Sequence, residues 1–248
     1  MNARVFLIVA SLLAVASAPV WSQCCDDYSH VFDFDQSDNG VYFELCAQNV
    51  QPCWRWGGID HHDWTGNNCL YEVPYVACDG LAVGSLLTTQ ATDEHPSTQR
   101  SCGHRAILGP IALESWTTAL ELCHWCGTYV DPPHTDSRGG FVVEVSTDGG
   151  STWNRLEPVG GYNEIAENYV VCLENDEVFG GCGPMGSFWR HCFDISPYAG
   201  TEIHLALLAG TDHIGYNMGW FVRSVKLGGT AGSPVEEGQW TTIKCLYR

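Results

Sequence analysis

The sequence has few basic side chains. Its 248 residues include 11 Lys and Arg against 29 Asp and Glu, which gives a formal net charge of −18. Proteins that bind nucleic acid neutralise phosphates with Lys and Arg, so this balance argues against nucleic acid as a partner.

Long apolar runs are also scarce, and the one present lies at the start of the chain. Residues 1–22 have Arg4 as their single charge, then the apolar run Val5–Ala16 and the small residues Ser17 and Ala18. This pattern is typical of a secretory signal, and the run is shorter than the ~20 residues that span a bilayer. We therefore expect an exported protein without a membrane span after signal removal, with a net charge of 10 − 29 = −19.

Several catalytic motifs are missing. The chain contains no His-Glu-x-x-His for a zinc peptidase and no Gly-x-Ser-x-Gly nucleophile elbow. The segment Gly181–Gly186 matches the spacing of a dinucleotide fingerprint, but it contains Pro184 and no helical pattern follows it. We interpret this segment as a turn and expect a protein that is not an enzyme.

Helical periodicity is absent after residue 22, whereas strand patterns recur. Glycines in the turn Asp148–Trp153 between two β-rich runs predict a hairpin. The β-rich runs are Leu81–Thr89, Arg105–Leu113, Ala119–Val130, Phe141–Thr147, Phe188–Phe193, Glu202–Leu208 and Gly219–Leu227. Short strands with Gly- and Pro-rich turns predict an all-β sandwich over residues 23–228. Residues 229–248 read as a Gly-rich linker and a short tail.

Cysteine is abundant, with 13 residues that all follow the first 22 positions. In an exported chain this content predicts a disulfide framework. Short spacings suggest three loop disulfides, Cys46–Cys53, Cys69–Cys78 and Cys172–Cys182. Because 13 is odd, at least one thiol is free or pairs between chains, and the candidates are Cys245, Cys24 and Cys25.

The segment Cys123-His-Trp-Cys126 has the spacing of a redox or zinc pair. It lies in a predicted strand, where residues three apart face opposite sides. We therefore predict structural disulfides to different partners, and a zinc or redox role stays open as an alternative.

Three segments, in order, carry a family resemblance: Phe141–Trp153, Phe193–Gly200 and Gly219–Val225. Together with Cys53–Gly57 and Leu122–Trp125, they resemble the jelly-roll module of immune-inhibitor-A-type metallopeptidases and bacterial surface proteins, which is similar to MAM domains. The resemblance covers about Val31 to Leu227 and implies a jelly-roll sandwich with a role in binding or cell adhesion. Such modules often end in Trp-Tyr-Ile-Asp-Asp-Val, whereas this chain has Arg223 and Ser224 at the two aspartates.

A candidate calcium loop precedes these segments. Asp35, Ser37 and Asn39 alternate before Gly40, as oxygen ligands do in calcium loops. Position 12 of the loop is Cys46 instead of Glu, so an EF-hand is excluded. A structural calcium shared with a distant acid such as Asp136 is the prediction, and it resembles sites in related modules; a plain turn is the alternative.

A second cluster combines indoles with polar side chains. Trp54 and Trp56 point the same way on a strand, and flat indoles stack on sugar rings. The polar cluster of His61, His62 and Asp63 with Trp64 follows closely, and its imidazoles could instead bind a transition metal. The site prediction for ligand binding is therefore Trp54, Trp56, His61, His62, Asp63 and Trp64, with burial of the tryptophans in the core as the alternative.

Three functions follow from these patterns. The first is a secreted, non-catalytic binding module for a polysaccharide or a surface protein. The second is a structural subunit of an extracellular assembly, linked through the odd cysteine. The third is a glycoside hydrolase on the same fold, in which Glu121 and Glu144 would form the carboxylate pair.

Overall fold

The computed structural model describes residues 24–48, 50, 53–58, 85–89, 101–128, 137–181, 188–212 and 219–229. These residues contain one short 3-10 helix, Ser196–Tyr198, and thirteen strands. The strands are β1 (Asp27–Asp33), β2 (Tyr42–Leu45), β3 (Arg55–Gly58), β4 (Ser85–Thr88), β5 (Gly103–Ala112), β6 (Ala119–Gly127), β7 (Gly139–Ser146), β8 (Asn154–Leu156), β9 (Glu164–Ile165), β10 (Glu177–Val178), β11 (Trp189–Asp194), β12 (Glu202–Thr211) and β13 (Gly219–Gly229). None of the described residues forms a helix with the length and apolar character needed to cross a bilayer.

Two antiparallel sheets account for most strands. The first sheet has the order β11-β6-β13-β4-β3, and β1 also pairs with β13. The second sheet has the order β2-β5-β12-β7-β8. A separate two-stranded ribbon joins β9 and β10. In this order β3 forms one edge of the first sheet and β2 forms one edge of the second.

The core lies between the two sheets. Alternate residues of β6, such as Leu120 and Leu122, and of β7, such as Val143 and Val145, are buried in one cluster with Trp220 of β13. Because side chains alternate across a strand, this cluster consists of the inner faces of both sheets. The predicted all-β sandwich is therefore confirmed. The jelly-roll connectivity stays a prediction.

The predicted hairpin is present between β7 and β8. Gly149 and Gly150 have φ angles of 74° and 90°, a conformation that glycine adopts without steric cost. Asp148 accepts hydrogen bonds from the Thr152 side chain at 2.6 Å and from its backbone N–H at 2.9 Å. These bonds, with one from Ser146, lower the pKa of Asp148 to about 2.

Both outer faces of the sandwich are partly covered. Val142 and Leu208 on the outer face of the second sheet are buried with Val170, Leu173 and Val178 from the segment 166–178. On the outer face of the first sheet, the Cys24–Cys192 disulfide fastens the N-terminal segment to β11. Other segments of the chain therefore cover part of the outer face of each sheet.

The short-range disulfides proposed from spacing are wrong for the described cysteines. Cys46 pairs with Cys172, 126 residues away, and Cys53 pairs with Cys102. The reason is that strands far apart in sequence are neighbours in a sandwich, so Cys46 at the end of β2 meets the segment that covers the second sheet. The other proposed partners, Cys69, Cys78 and Cys182, lie outside the described residues, as does Cys245.

Candidate functional site

The sandwich has an open edge, which we define by the half-exposed side chains Phe43, Leu45 and Trp56. Phe43 and Leu45 stand on β2, and Trp56 stands on β3. The register places Phe43 opposite Ala106 and Trp56 opposite Leu87, and both of those partners belong to the core. The three side chains of the open edge therefore lie on the core side of their sheets, where no further described strand of either sheet covers them.

His104 of β5 connects the two halves of the open edge. Its ring packs against Phe43 with centroids 5.5 Å apart. Its Nδ1 accepts the backbone N–H groups of Cys53 at 3.1 Å and Trp54 at 3.3 Å, just before β3 begins. Since Nδ1 is an acceptor, the ring is neutral with its proton on Nε2, and burial lowers the pKa of His104. This contact brings the β3 entry segment next to β2.

Trp54 and Trp56 have different surroundings although they lie two residues apart. Trp54 is 6% exposed, packs at 5.5 Å from Trp220 and donates its Nε1–H to the His104 carbonyl at 2.9 Å. Trp56 is 42% exposed. The prediction of a two-tryptophan surface is wrong in its first member, because Trp54 lies over the middle of the core. Of this pair, only Trp56 is exposed to solvent.

The orientation of Trp56 is fixed by one hydrogen bond. Its Nε1–H donates to the Phe34 carbonyl at 2.7 Å. Phe34 is fully buried, and its own N–H donates to the Arg223 carbonyl at 3.0 Å. An indole with a satisfied N–H and solvent at its apolar surface is suited to stacking on a flat ligand.

The residues predicted as calcium ligands form a turn that is closed by its own hydrogen bonds. Ser37 Oγ accepts the Asn39 N–H at 3.2 Å, and the Asn39 side-chain amide donates to the Ser37 carbonyl at 3.0 Å. Asn39 and Gly40 have φ angles of 54° and 69°, which is the left-handed conformation of a tight turn.

Asp35, the first predicted calcium ligand, faces a cation of the chain itself. Its Oδ2 lies 3.7 Å from Nη2 of Arg223, and Asp33 forms an ion pair with the same guanidinium. In the part of the chain that the structure describes, no group of three or more His, Cys, Asp and Glu side chains is arranged to hold a metal ion. The calcium site predicted at Asp35, Ser37 and Asn39 stays a prediction, since its proposed distant ligand, Asp136, lies outside the described residues.

The remaining predicted residues are not placed. His61, His62, Asp63, Trp64 and Asp136 lie outside the described residues. Their role in binding a ligand or a metal stays a prediction.

Sequence reasoning missed β2 and Arg223. Asn39-Gly40 followed by Val41–Leu45 is a turn followed by a β-rich run, which is a signal for a strand. Its turn residues Asn39 and Gly40 also belong to the pattern that predicts a calcium loop. The contact of Arg223 with Asp33 and Asp35 had no sequence signal, because β1 and β13 are separated by almost the whole chain.

The two glutamates of the hydrolase alternative lie on opposite outer faces. Glu121 alternates with the core residues Leu120 and Leu122 on β6, and Glu144 alternates with core residues on β7 of the other sheet. Packed sheets are about 10 Å apart, and each of these side chains points away from the core. They therefore cannot flank one glycosidic bond, and this pair is excluded as a catalytic dyad.

Each glutamate has its own basic partners. Glu121 accepts hydrogen bonds from the Cys24 N–H at 3.1 Å and the Tyr28 hydroxyl at 3.2 Å, with Lys226 Nζ 3.7 Å away. Burial, with Glu121 adding to it, raises the pKa of Tyr28. Glu144 accepts two hydrogen bonds from Arg105, at 2.6 and 3.3 Å. Both carboxylates thus act as structural acceptors.

Cys123 and Cys126 lie on opposite faces of β6, as their spacing on a strand predicts. Cys123 is in a disulfide, whereas Cys126 is a buried free thiol in the core. Burial raises the pKa of Cys126, and burial raises that of the second free thiol, Cys25, to about 12. The disulfide predicted for Cys126 is wrong, and neither thiol has the lowered pKa of a redox centre.

A histidine pair, the fully buried His124 and the partly buried His191, lies on the core side of the first sheet. Trp220 donates its Nε1–H to Nδ1 of His124 at 2.7 Å, and Nε2 of His124 lies 2.8 Å from Nδ1 of His191. Since Nδ1 of His124 accepts a hydrogen bond, the ring proton is on its Nε2, which donates to Nδ1 of His191, and both rings are neutral. Burial lowers the pKa of His191 to about 4, and burial with the neighbouring His191 lowers that of His124 well below its ordinary value.

Comparisons with known proteins give little further information. No family model matches the chain, and no curated protein matches its sequence. The resemblance to the module of immune-inhibitor-A-type metallopeptidases thus stays a prediction.

Among solved structures, the chain is similar to several β domains. The K3 cleaved adhesin domain of Lys-gingipain from Porphyromonas gingivalis is 14% identical, with a TM-score of 0.36, over 77% of this chain and 98% of that one. SGBP-B from a xyloglucan utilization locus of Bacteroides uniformis is 10% identical, with a TM-score of 0.33, over 80% of this chain and 49% of that one. TmCBM27, a carbohydrate-binding module that recognises mannan, is 13% identical, with a TM-score of 0.32, over 81% and 96%. At these values the similarities carry no inference about function.

Proposed function

We propose that the protein is a secreted, non-catalytic module that binds a carbohydrate at the open edge of the sandwich. The observation that carries this proposal is Trp56, an indole that is 42% exposed while its N–H is held at 2.7 Å by the Phe34 carbonyl. An exposed apolar ring that is already fixed loses little freedom when it stacks on a sugar.

The surroundings of Trp56 support a binding role. Phe43 and Leu45 add half-exposed apolar surface on the facing edge. The predicted polar residues His61, His62 and Asp63 follow β3 within a few positions, and polar groups of this kind orient a ligand in a site made by loops on a rigid scaffold. A surface protein with a flat apolar patch is the second partner that this edge could accept.

The test is retention of the oxidised protein on insoluble cellulose, chitin, β-glucan and cell-wall material. We expect retention on at least one of them and its loss in Trp56→Ala. The matched control is Tyr169→Ala, which removes another exposed aromatic side chain outside the open edge. Retention that is equal in both variants would contradict the site, and no retention of the wild type on any of these materials would contradict carbohydrate binding.

The assembly alternative is checked by a non-reducing gel. Both free thiols in the described part of the chain, Cys25 and Cys126, are buried. A disulfide-linked oligomer would therefore require a cysteine outside that part, such as Cys245. A monomer band alone would contradict the assembly role.

A further inference from the structure

Two acidic side chains, at the end of β1 and at the start of the loop to β2, lie near one buried arginine. Arg223 of β13 is 4% exposed, and its guanidinium contacts Asp33 and Asp35. Its backbone carbonyl also accepts the Phe34 N–H at 3.0 Å, so Arg223 is bound to the loop through both its side chain and its main chain.

The register explains how the arginine reaches the loop. β1 pairs with β13 up to Asp33 opposite Ser224, and the chain turns away from the sheet directly afterwards. A shift in register between Val222 and Ser224, where β13 pairs with β6, falls at Arg223. Arg223 is therefore the residue of β13 that stands where the loop leaves the first sheet.

The guanidinium supplies positive charge where the sequence pattern predicted a metal. A calcium ion would need several oxygen ligands. Here Asp35 Oδ2 lies 3.7 Å from the Arg223 guanidinium, and Ser37 and Asn39 bond to each other. The planar fork of arginine suits two carboxylates at once, and it stays protonated even though burial lowers its pKa.

We propose that Arg223 is the built-in cation of this loop and stands in place of the calcium ion, so that the loop between β1 and β2 folds without a metal. This inference does not depend on what the open edge binds. It rests on the placement of Arg223, Asp33 and Asp35.

The first test compares thermal unfolding of the full oxidised protein in excess calcium and in EDTA. We expect the same melting temperature in both. If the melting temperature rises in calcium for the wild type but not for Asp35→Asn, the proposal would be overturned, since calcium would then bind this loop. If the melting temperature rises in calcium for Asp35→Asn as well, calcium binds elsewhere and the loop is metal-free, as proposed.

The second test removes the cation. Arg223→Gln leaves two carboxylates without their buried partner, and we expect its melting temperature to fall by about 10 °C. The matched control is Lys226→Gln, a more exposed cation on the same strand, which should fall by much less. An equal fall in the two variants would overturn the proposal.

A third variant separates loss of charge balance from loss of packing. The variant Asp33→Asn/Asp35→Asn/Arg223→Gln removes the guanidinium together with both of its carboxylate partners, so we expect it to melt above Arg223→Gln. A triple variant that melts at or below the single variant would show that the guanidinium acts by packing and would overturn the proposal. If Arg223→Gln does not fold, Arg223→Lys keeps the charge and must fold with no response to calcium.

Discussion

Two aromatic regions of this protein differ in how far their rings are exposed to solvent. In the first sheet, Trp220 and His124 are fully buried, and hydrogen bonds join the ring nitrogens of Trp220, His124 and His191. At the open edge, Trp56 and Phe43 have the same chemistry but remain half in water. The difference arises because Trp220 and His124 stand on the central strands β13 and β6, whereas β2 and β3 lie at the ends of the described strand orders. Aromatic content alone therefore does not distinguish a core from a binding surface.

The largest effect should come from the core region. Replacing Trp220→Ala removes a fully buried indole that contacts Trp54 and Phe141 and also leaves His124 Nδ1 without its donor. We expect the free energy of unfolding to fall by about 4 kcal/mol. Chemical denaturation under oxidising conditions measures it. A loss near 1 kcal/mol would mean that the core can repack around the missing ring.

The pair of His124 and His191 should make the core sensitive to acid. The pKa of His191 is about 4 in the folded protein against 6.5 for the ordinary side chain. Its protonation therefore favours the unfolded state, so the stabilisation is complete above about pH 6.5 and is lost as the pH falls toward 4. We expect a loss of roughly 3 kcal/mol over that interval from His191 alone.

Unfolding at a series of pH values checks this expectation. His191→Asn keeps a hydrogen-bond acceptor but cannot be protonated, so its stability should fall less steeply below pH 6.5. His30→Gln, which leaves the buried pair intact, is the control and should follow the wild type. Identical slopes for the wild type and His191→Asn would show that the pair does not govern the response.

The smallest effect on stability should come from the open edge. Trp56→Ala removes a half-exposed ring on an edge strand and one hydrogen bond, so we expect a loss of about 1 kcal/mol. The same denaturation measurement applies. A loss as large as that of Trp220→Ala would mean that Trp56 belongs to the core, and it would remove the basis for a ligand site there.

Sequence reasoning was most successful where local pattern and tertiary environment agree. The strands β5, β6, β7, β11, β12 and β13 and the hairpin at Gly149 and Gly150 follow from alternation and turn residues. It failed where a residue's contacts in the fold are with residues far away in the sequence. The pairing of Cys46 with Cys172 and the burial of Trp54 depend on which strands become neighbours, and no local pattern encodes that.

The sequence by itself determined the all-β class, the disulfide chemistry and the acidic character, because these depend on composition and on patterns a few residues long. Only the tertiary structure decided which tryptophan of the pair is exposed, that Glu121 and Glu144 stand on opposite faces, and that Arg223 meets the loop at Asp33 and Asp35. The physical reason is that sheet order and register set those distances, and both arise from pairings between strands far apart in the chain.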